Sequence, residues 1–437
     1  MEKKSQKIWH PFTQMLTAES ALKVKSGSGA YLQLEDGRRI LDCISSWWVT
    51  LHGHAEASIA EAIFEQAGKL EQVIFAGFTH DPAEELAEAI VEALPGKLSH
   101  LFFSDNGSTS VEVALKMAYQ YWQNLGQSRS KFIAFEGGYH GDTVGAMSIG
   151  RGSPFWNKFA PLLFSIDQIP YPSTYDGDLS AEKKENDALK ALSQLLAQNP
   201  NAYAAICIEP LVQGAAGMRM CRTEFLKKLA KLAAEHSILL IYDEVMTGFG
   251  RTGAIFASCK SESEPDIICL SKGISGGFLP LSVTVCADFI YESFLSENND
   301  KTFYHGHSYT ANPIACAAAN ASWRLLNKNA DRFQNMEAIH RKLAEEELQT
   351  QKLLTNKRYC GTIFAAEVQN READSYFNSI APLLKKRFLE KGFLIRPLGN
   401  TVYLMPPYCV TENDLRSAYK AINEVINEVF RQASISI

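Results

Sequence analysis

The sequence predicts an α/β protein: a large domain on a mostly parallel sheet flanked by helices, plus a smaller α+β domain. Three observations carry this. Five short runs are apolar throughout, as strands covered on both faces of a parallel sheet must be. Stripes of apolar residues at helical spacing lie between such runs. The 437 residues, at ~150 per domain, provide for two to three domains with cores that need no staple.

The elements follow in order. Tyr31-Leu32-Gln33-Leu34 and Arg39-Ile40-Leu41-Asp42 flank Asp36-Gly37, a strong hairpin turn signal. Leu101-Phe102-Phe103 is the first apolar run. Behind it Val111, Ala114, Leu115, Ala118, Tyr119 and Trp122 mark one helical face, and Thr109-x-x-Glu112 reads as its capping box. Phe132-Ile133-Ala134-Phe135, Ala204-Ala205-Ile206-Cys207-Ile208, Ile238-Leu239-Leu240-Ile241-Tyr242 and Ile267-Ile268-Cys269-Leu270 are the other four runs. A stripe of Phe225, Leu226, Leu229, Leu232 and Ala233 separates the third run from the fourth. The polar segment 173–190 reads as a surface excursion. Beyond about 320, helical stretches return with short strands at Thr362-Ile363-Phe364 and Val402-Tyr403-Leu404.

Composition narrows the function. Hydrophobic residues are 46% and charged residues 21%, which excludes a disordered, collagen-like or coiled-coil chain. The net charge of -6 is spread along the sequence without a basic block, so neither nucleic acid nor an anionic membrane is the expected partner. The nine cysteines form no C-x-x-C pair, and most sit singly in apolar runs, as buried reduced thiols do. No apolar stretch follows Met1-Glu2-Lys3-Lys4, and no run approaches ~20 apolar residues. A cytoplasmic address is expected.

In an open parallel sheet, ligands gather beyond the carboxyl ends of the strands. After the first run comes Ser104-Asp105-Asn106-Gly107-Ser108-Thr109-Ser110, a Gly/Ser turn opening a helix. Such a turn presents free N–H groups to a phosphate, or is simply a well-capped helix. The later runs lead into Gly137-Gly138-Tyr139-His140-Gly141-Asp142, Glu209-Pro210, Asp243-Glu244 and Ser271-Lys272-Gly273. Each has a plain reading: Tyr139 in the core, His140 a hydrogen-bonded loop histidine, Lys272 a solvated turn residue. A lysine directly behind a buried strand is also a nucleophilic amine in the making, because burial lowers its pKa. A neighbouring aspartate could pair with that lysine or with a ring nitrogen. Phosphate turn, aromatic ring, aspartate and lysine are together what a pyridoxal phosphate site needs.

Gly248-Phe249-Gly250-Arg251-Thr252-Gly253 is literally G-x-G-x-x-G, and it raises the alternative of a dinucleotide-dependent oxidoreductase. That fingerprint must open a helix packed on the sheet, whereas the stretch here is soon broken by Pro265. The pairs His52-Gly53-His54 and His305-Gly306-His307 lack a Cys or carboxylate at ligand spacing, so no metal site is expected.

The stretch Ile241-Tyr242-Asp243-Glu244-Val245-Met246-Thr247-Gly248-Phe249-Gly250-Arg251-Thr252-Gly253, followed by Ser271-Lys272-Gly273, resembles the signature of the class III pyridoxal-phosphate aminotransferases. Five further stretches are similar to the branch of that family that serves biotin biosynthesis. They are Ile8-Trp9-His10-Pro11-Phe12-Thr13-Gln14-Met15, Ser45-Ser46-Trp47-Trp48, Gly138-Tyr139-His140-Gly141-Asp142-Thr143, Val212-Gln213-Gly214-Ala215-Ala216-Gly217-Met218 and Tyr403-Leu404-Met405-Pro406-Pro407-Tyr408. The similarity runs along nearly the whole chain.

The resemblance implies a fold-type-I transferase whose smaller domain draws on both chain ends: 1–55 and 321–437 around a cofactor-binding domain at 56–320. It implies pyridoxal 5'-phosphate as cofactor, small-molecule substrates, and a homodimer with the active site at the subunit interface. Lys272 would carry the cofactor and move protons as general acid and base. Asp243 would hold the pyridinium N–H, with Tyr139 stacked on the ring and Val245 against its other face. Gly107 and Ser108 would bind the phosphate, joined by Ser308 of the other subunit. Trp47, Tyr139, Lys272 and Gly306 would line the substrate pocket, and Arg396 would clamp a substrate carboxylate. Glu209 and Arg251 resemble a structural ion pair.

The implied reaction moves an amino group onto 8-amino-7-oxononanoate, with S-adenosylmethionine as donor and lysine as the alternative; the runner-up is another ω-amino-acid aminotransferase of the class. Two departures bear on the donor. Phe12 stands where the family often has tyrosine, and His307-Ser308 replaces the Pro-Thr of some members. Met246 fits this branch, since many other members have glutamine there.

Overall fold

The computed structural model describes residues 7–150, 156–369 and 380–435. Its first strands are β1 (Val24–Ser28), β2 (Tyr31–Leu34) and β3 (Arg39–Asp42), which form an antiparallel meander with β2 and β3 turning at Asp36-Gly37. Seven strands then build the large sheet: β4 (Leu98–Ser104), β5 (Lys131–Phe135), β6 (Asp167–Ile169), β7 (Tyr203–Ile208), β8 (Leu239–Asp243), β9 (Ile267–Leu270) and β10 (Ser282–Ala287). Their order is β4-β10-β9-β8-β7-β5-β6, and all run the same way except β10. Every residue of β7, β8 and β9 is buried, which accounts for their unbroken apolar runs.

β10 is as buried as its neighbours but reads as polar, because Ser282 and Thr284 interrupt it. Its hydroxyls are satisfied by neighbours: Ser282 Oγ lies 2.7 Å from Ser104 Oγ on β4, and Thr284 Oγ1 donates to the Ser110 carbonyl of the helix Gly107–Asn124 at 2.8 Å. Two expectations are corrected. The segment 173–190 is a surface excursion only in its first half, since a helix runs Ala181–Gln198. Its buried stripe contains Glu185, neutralised by Arg222 at 2.6 Å, and that charge hides the periodicity. Tyr119 lies at the margin of the stripe on the helix Gly107–Asn124 and is 45% exposed, whereas Val111, Ala114, Leu115, Ala118 and Trp122 are buried.

Besides a two-stranded ribbon of Val212–Gln213 and Arg219–Met220, the remaining strands are β11 (Leu354–Cys360), β12 (Ile363–Val368), β13 (Phe393–Leu394) and β14 (Thr401–Leu404). β11, β12 and β14 make an antiparallel sheet, while β13 joins the N-terminal meander beside β3. One hydrophobic cluster unites Ala30, Leu41 and Cys43 with Phe364, Phe388, Tyr419 and Ile422, so the two chain ends share a core. The helix Pro313–Lys328 runs across position 320. Among the described residues, no helix is long and apolar enough to cross a membrane.

Candidate active site

The carboxyl edge of the large sheet gathers the polar residues that follow each strand. Asp243 ends β8, and Lys272 opens the short 3-10 turn Lys272–Ser275 behind the adjacent β9. The backbone at Lys272 has φ +45°, a left-handed conformation that turns the chain sharply out of the sheet. Its ammonium lies 4.7 Å from the centre of the Trp48 ring. Burial lowers the pKa of Lys272, opposed by the charges of Asp243 and Glu209. The amine forms no ion pair with Asp243.

Asp243 is taken by His140 instead: Nδ1 of that ring is 2.7 Å from Oδ2, and both groups are buried. The other carboxylate oxygen accepts the Val245 N–H at 3.1 Å. Burial works against charge on His140, but Cys207 and Asp243 together hold its pKa well above the usual histidine range. Sequence reasoning left His140 as an ordinary loop histidine; its position directly after Tyr139 was the available signal. Glu209 accepts the N–H groups of Tyr139 and Gly214, each at 2.9 Å, and burial pushes its pKa up to about 7.

The expected Glu209–Arg251 ion pair does not form. Arg251 is buried and donates to three carbonyls: Pro406 at 3.0 Å, Trp48 at 3.2 Å and Thr50 at 3.3 Å. It fastens the aromatic turn to the 406–408 loop, while Glu209 orders the loop bearing Tyr139. Each finds enough backbone partners that the two charges need not meet.

The start of the helix Gly107–Asn124 also differs in detail from the expected Thr109-x-x-Glu112 box. Asn106 is the cap: its side chain accepts the Thr109 N–H at 3.1 Å, and Thr109 Oγ1 accepts the Asn106 N–H at 3.2 Å. Glu112 turns away to accept the Gly145 and Ala146 N–H groups at 2.7 and 3.2 Å. The N–H groups of Gly107 and Ser108 keep no partner among the described residues, leaving an anion site at the positive end of the helix. Space there is limited. A Cβ on Gly107 would lie 2.6 Å from Val245 Cγ1, and one on Gly141 would lie 1.9 Å from Ser108 Oγ.

Trp47 and Trp48 reach the site through an unusual turn. Ser45, Ser46, Trp47 and Trp48 all have positive φ, between 45° and 77°. Left-handed backbone at residues with a Cβ costs about 1–3 kcal/mol each, so the surroundings must impose it. Ser45 Oγ donates to the Met405 carbonyl at 2.8 Å, Ser46 Oγ to Asp42 at 2.8 Å, and the Trp48 indole to Tyr403 Oη at 3.0 Å. Trp48 is thereby set beneath Lys272. Trp47 lies 4.7 Å from the guanidinium of Arg396 and meets the Phe12 ring edge-on at 5.5 Å.

Gly306 and Ser308 lie apart from this group. Their loop is held by a bond of 2.9 Å from Gln72 to the Ser308 carbonyl, and among the described residues no hydrogen bond joins it to Gly107, Ser108 or Lys272. The histidine pairs have local partners: His52 bonds Ser322 and His54 pairs with Asp42, each at 3.0 Å. The G-x-G-x-x-G stretch is a run of turns leading to the five-residue helix Ala257–Ser261, too short to serve a dinucleotide.

The profile of the family described as Aminotransferase class-III matches residues 15–426. The chain is a class-III aminotransferase. It is 53% identical to the adenosylmethionine-8-amino-7-oxononanoate aminotransferase of Synechococcus elongatus, over 97% of this chain and 99% of that one. The enzyme of the same name from Geobacter sulfurreducens is 38% identical, over 97% and 96%. Among solved structures, the adenosylmethionine-8-amino-7-oxononanoate aminotransferase of Methanocaldococcus jannaschii aligns with a TM-score of 0.89 at 35% identity, over 97% of each chain. An amine transaminase from an uncultivated Pseudomonas species, in its PLP-bound form, aligns at 0.88 and 28% identity, over 98% of this chain and 99% of that one.

As in its family, the cofactor of this class-III aminotransferase is pyridoxal phosphate. The residues fit that molecule. Two free N–H groups at a helix start suit its phosphate, and a cradle that a Cβ at Gly107 would fill lies against Val245. A buried carboxylate suits its ring nitrogen, and an amine without an acidic partner suits its aldehyde.

Proposed function

We propose that this aminotransferase transfers an amino group from S-adenosylmethionine to 8-amino-7-oxononanoate, giving 7,8-diaminononanoate for biotin biosynthesis. The single observation that supports the acceptor best is Arg396. Its guanidinium is half-buried over Trp47 and forms no ion pair among the described residues, so the site holds a cation that lacks an anion. A carboxylate at the end of an aliphatic chain supplies one. The aromatic surface of Phe12 and Trp47 suits the flat adenine of S-adenosylmethionine.

When bound, pyridoxal phosphate supplies an electron-withdrawing ring and an aldehyde on which an amino group passes from donor to acceptor. The chain does the rest. Gly107 and Ser108 hold the phosphate, Val245 and Tyr139 confine the ring, and Asp243 keeps its nitrogen protonated, braced by His140. Lys272 would move the proton from the donor carbon to the cofactor's aldehyde carbon, C4′, and make the reverse transfer from C4′ to the acceptor carbon. Lowering its pKa leaves more of the free amine that both tasks need. Gly306 and Ser308 belong to the site across a homodimer interface, in a cytoplasmic enzyme. An exposed apolar patch supports that assembly: Ile74, Phe78, Tyr304 and Tyr309 sit where the 71–78 and 302–312 segments adjoin. The domain division stays as the resemblance implies, with both chain ends in the smaller unit.

Borohydride reduction of the loaded enzyme is expected to fix the cofactor to the Lys272 peptide, and label on another lysine would overturn that role. Arg396→Ala should lower kcat/KM for 8-amino-7-oxononanoate by about 30- to 1000-fold, as loss of ~2–4 kcal/mol of charged contact requires. A change under threefold would mean that the carboxylate binds elsewhere. Mixing the yellow enzyme with each donor separately tests the donor: bleaching by lysine and not by S-adenosylmethionine would reverse that choice alone.

A further inference from the structure

Beside Trp47 lies an open chamber of about 1000 Å³, bordered by the 10–24 segment, the N-terminal meander and the helix Ile380–Glu390. Its walls are largely aliphatic, with Leu22, Leu34, Ile40 and Leu389 among them. The charged groups around it mostly neutralise one another. Glu19 pairs with Lys386 at 2.9 Å, Glu390 with Arg387 at 2.9 Å, and Arg38 with Asp36 at 2.8 Å.

Two cations are left over. Arg396 and Lys385 both line the chamber, and neither forms an ion pair among the described residues. Lys385 is solvent-exposed overall; partial desolvation and then the charge of Arg396 lower its pKa, and Glu19 raises it. Two neighbouring positive charges beside an apolar wall repel each other, and an anion between them relieves both.

We propose that Lys385 is a second carboxylate-binding residue, sharing with Arg396 the acid end of an aliphatic amino acceptor whose hydrocarbon leaves the chamber past Trp47 towards Lys272. This rests on the acceptor reading given above and adds a residue that selects acid-ended over neutral-ended chains.

Titration calorimetry of the holoenzyme with nonanoate, and separately with nonanol, tests it. Lys385→Gln should weaken nonanoate roughly tenfold and nonanol less than twofold, and Lys385→Arg should restore nonanoate. The KM for 8-amino-7-oxononanoate should rise with the nonanoate Kd. If Arg396→Ala weakens nonanoate but Lys385→Gln does not, the inference falls and the acceptor reading stands. If Lys385→Gln weakens both ligands equally, the side chain only shapes the wall, and the inference again falls. If neither variant alters nonanoate binding, the carboxylate lies elsewhere and both readings fall together.

Discussion

Asp243 and His140 are buried together and share a bond of 2.7 Å. Removing the ring strands a carboxylate without its partner, which costs about 3–5 kcal/mol when the pair is inaccessible to water. His140→Ala should therefore lower the melting temperature measurably and weaken cofactor retention on gel filtration. A second buried histidine makes a pH prediction. His340 bonds Tyr419 at 2.9 Å and the Thr362 carbonyl at 3.1 Å, and burial drives its pKa down to about 4. The unfolded chain then binds its proton more readily than the folded one. His340 stabilises fully above pH 6.5, and that contribution is lost as pH falls towards and through 4. In urea unfolding, the penalty of His340→Gln should be smaller at pH 5 than at pH 7.5 by roughly 2 kcal/mol. An equal penalty at both pH values would refute it. Lys272 and Asp243 were legible in the sequence because each directly ends or follows an apolar run. The partners of Glu209 and Arg251 were not, because their hydrogen bonds go to backbone groups that only the folded chain brings near.

Among the elements, the start of the helix Gly107–Asn124 bears most on function. Gly107→Ala drives a methyl to 2.6 Å from Val245 Cγ1. Overpacking of this kind costs ~1–3 kcal/mol, so the cofactor should dissociate roughly 5- to 150-fold more readily. Val245→Ala in the same chain should recover most of the loss, since it removes the atoms that clash; failure to recover would show that backbone freedom, and not space, is what Gly107 supplies. Elements with one dominant local signal could be read before folding: the buried strands by apolar runs, the helices by their stripes. β10 could not, because its hydroxyls are silenced by Ser104 and Ser110, far away in sequence. The left-handed turn at Ser45–Trp48 carries no local signal either. None of its residues favours that backbone, and its geometry is imposed by Asp42, Tyr403 and Met405.

At the scale of the whole molecule, the site as proposed is complete only when two copies meet. Co-expressing Lys272→Ala with Ser308→Asp should restore activity above that of either variant alone, because one site of the mixed dimer then holds a native lysine and a native serine. Activity no greater than that of Ser308→Asp would place the whole site within one chain. The joining of both chain ends reaches back into biosynthesis. β3 pairs with β13, so the meander completes its sheet only after about 350 further residues have been made. At ribosomal speeds of roughly 5–20 residues per second, that is a wait of roughly 20–70 s. Through that interval the edge of β3 stays open to other strands, and the Trp47 turn lacks the Met405 and Tyr403 anchors that shape it. A nascent chain thus carries the residues proposed to hold the cofactor long before it has the proposed acceptor pocket, and one released early would keep the lysine and lose the specificity.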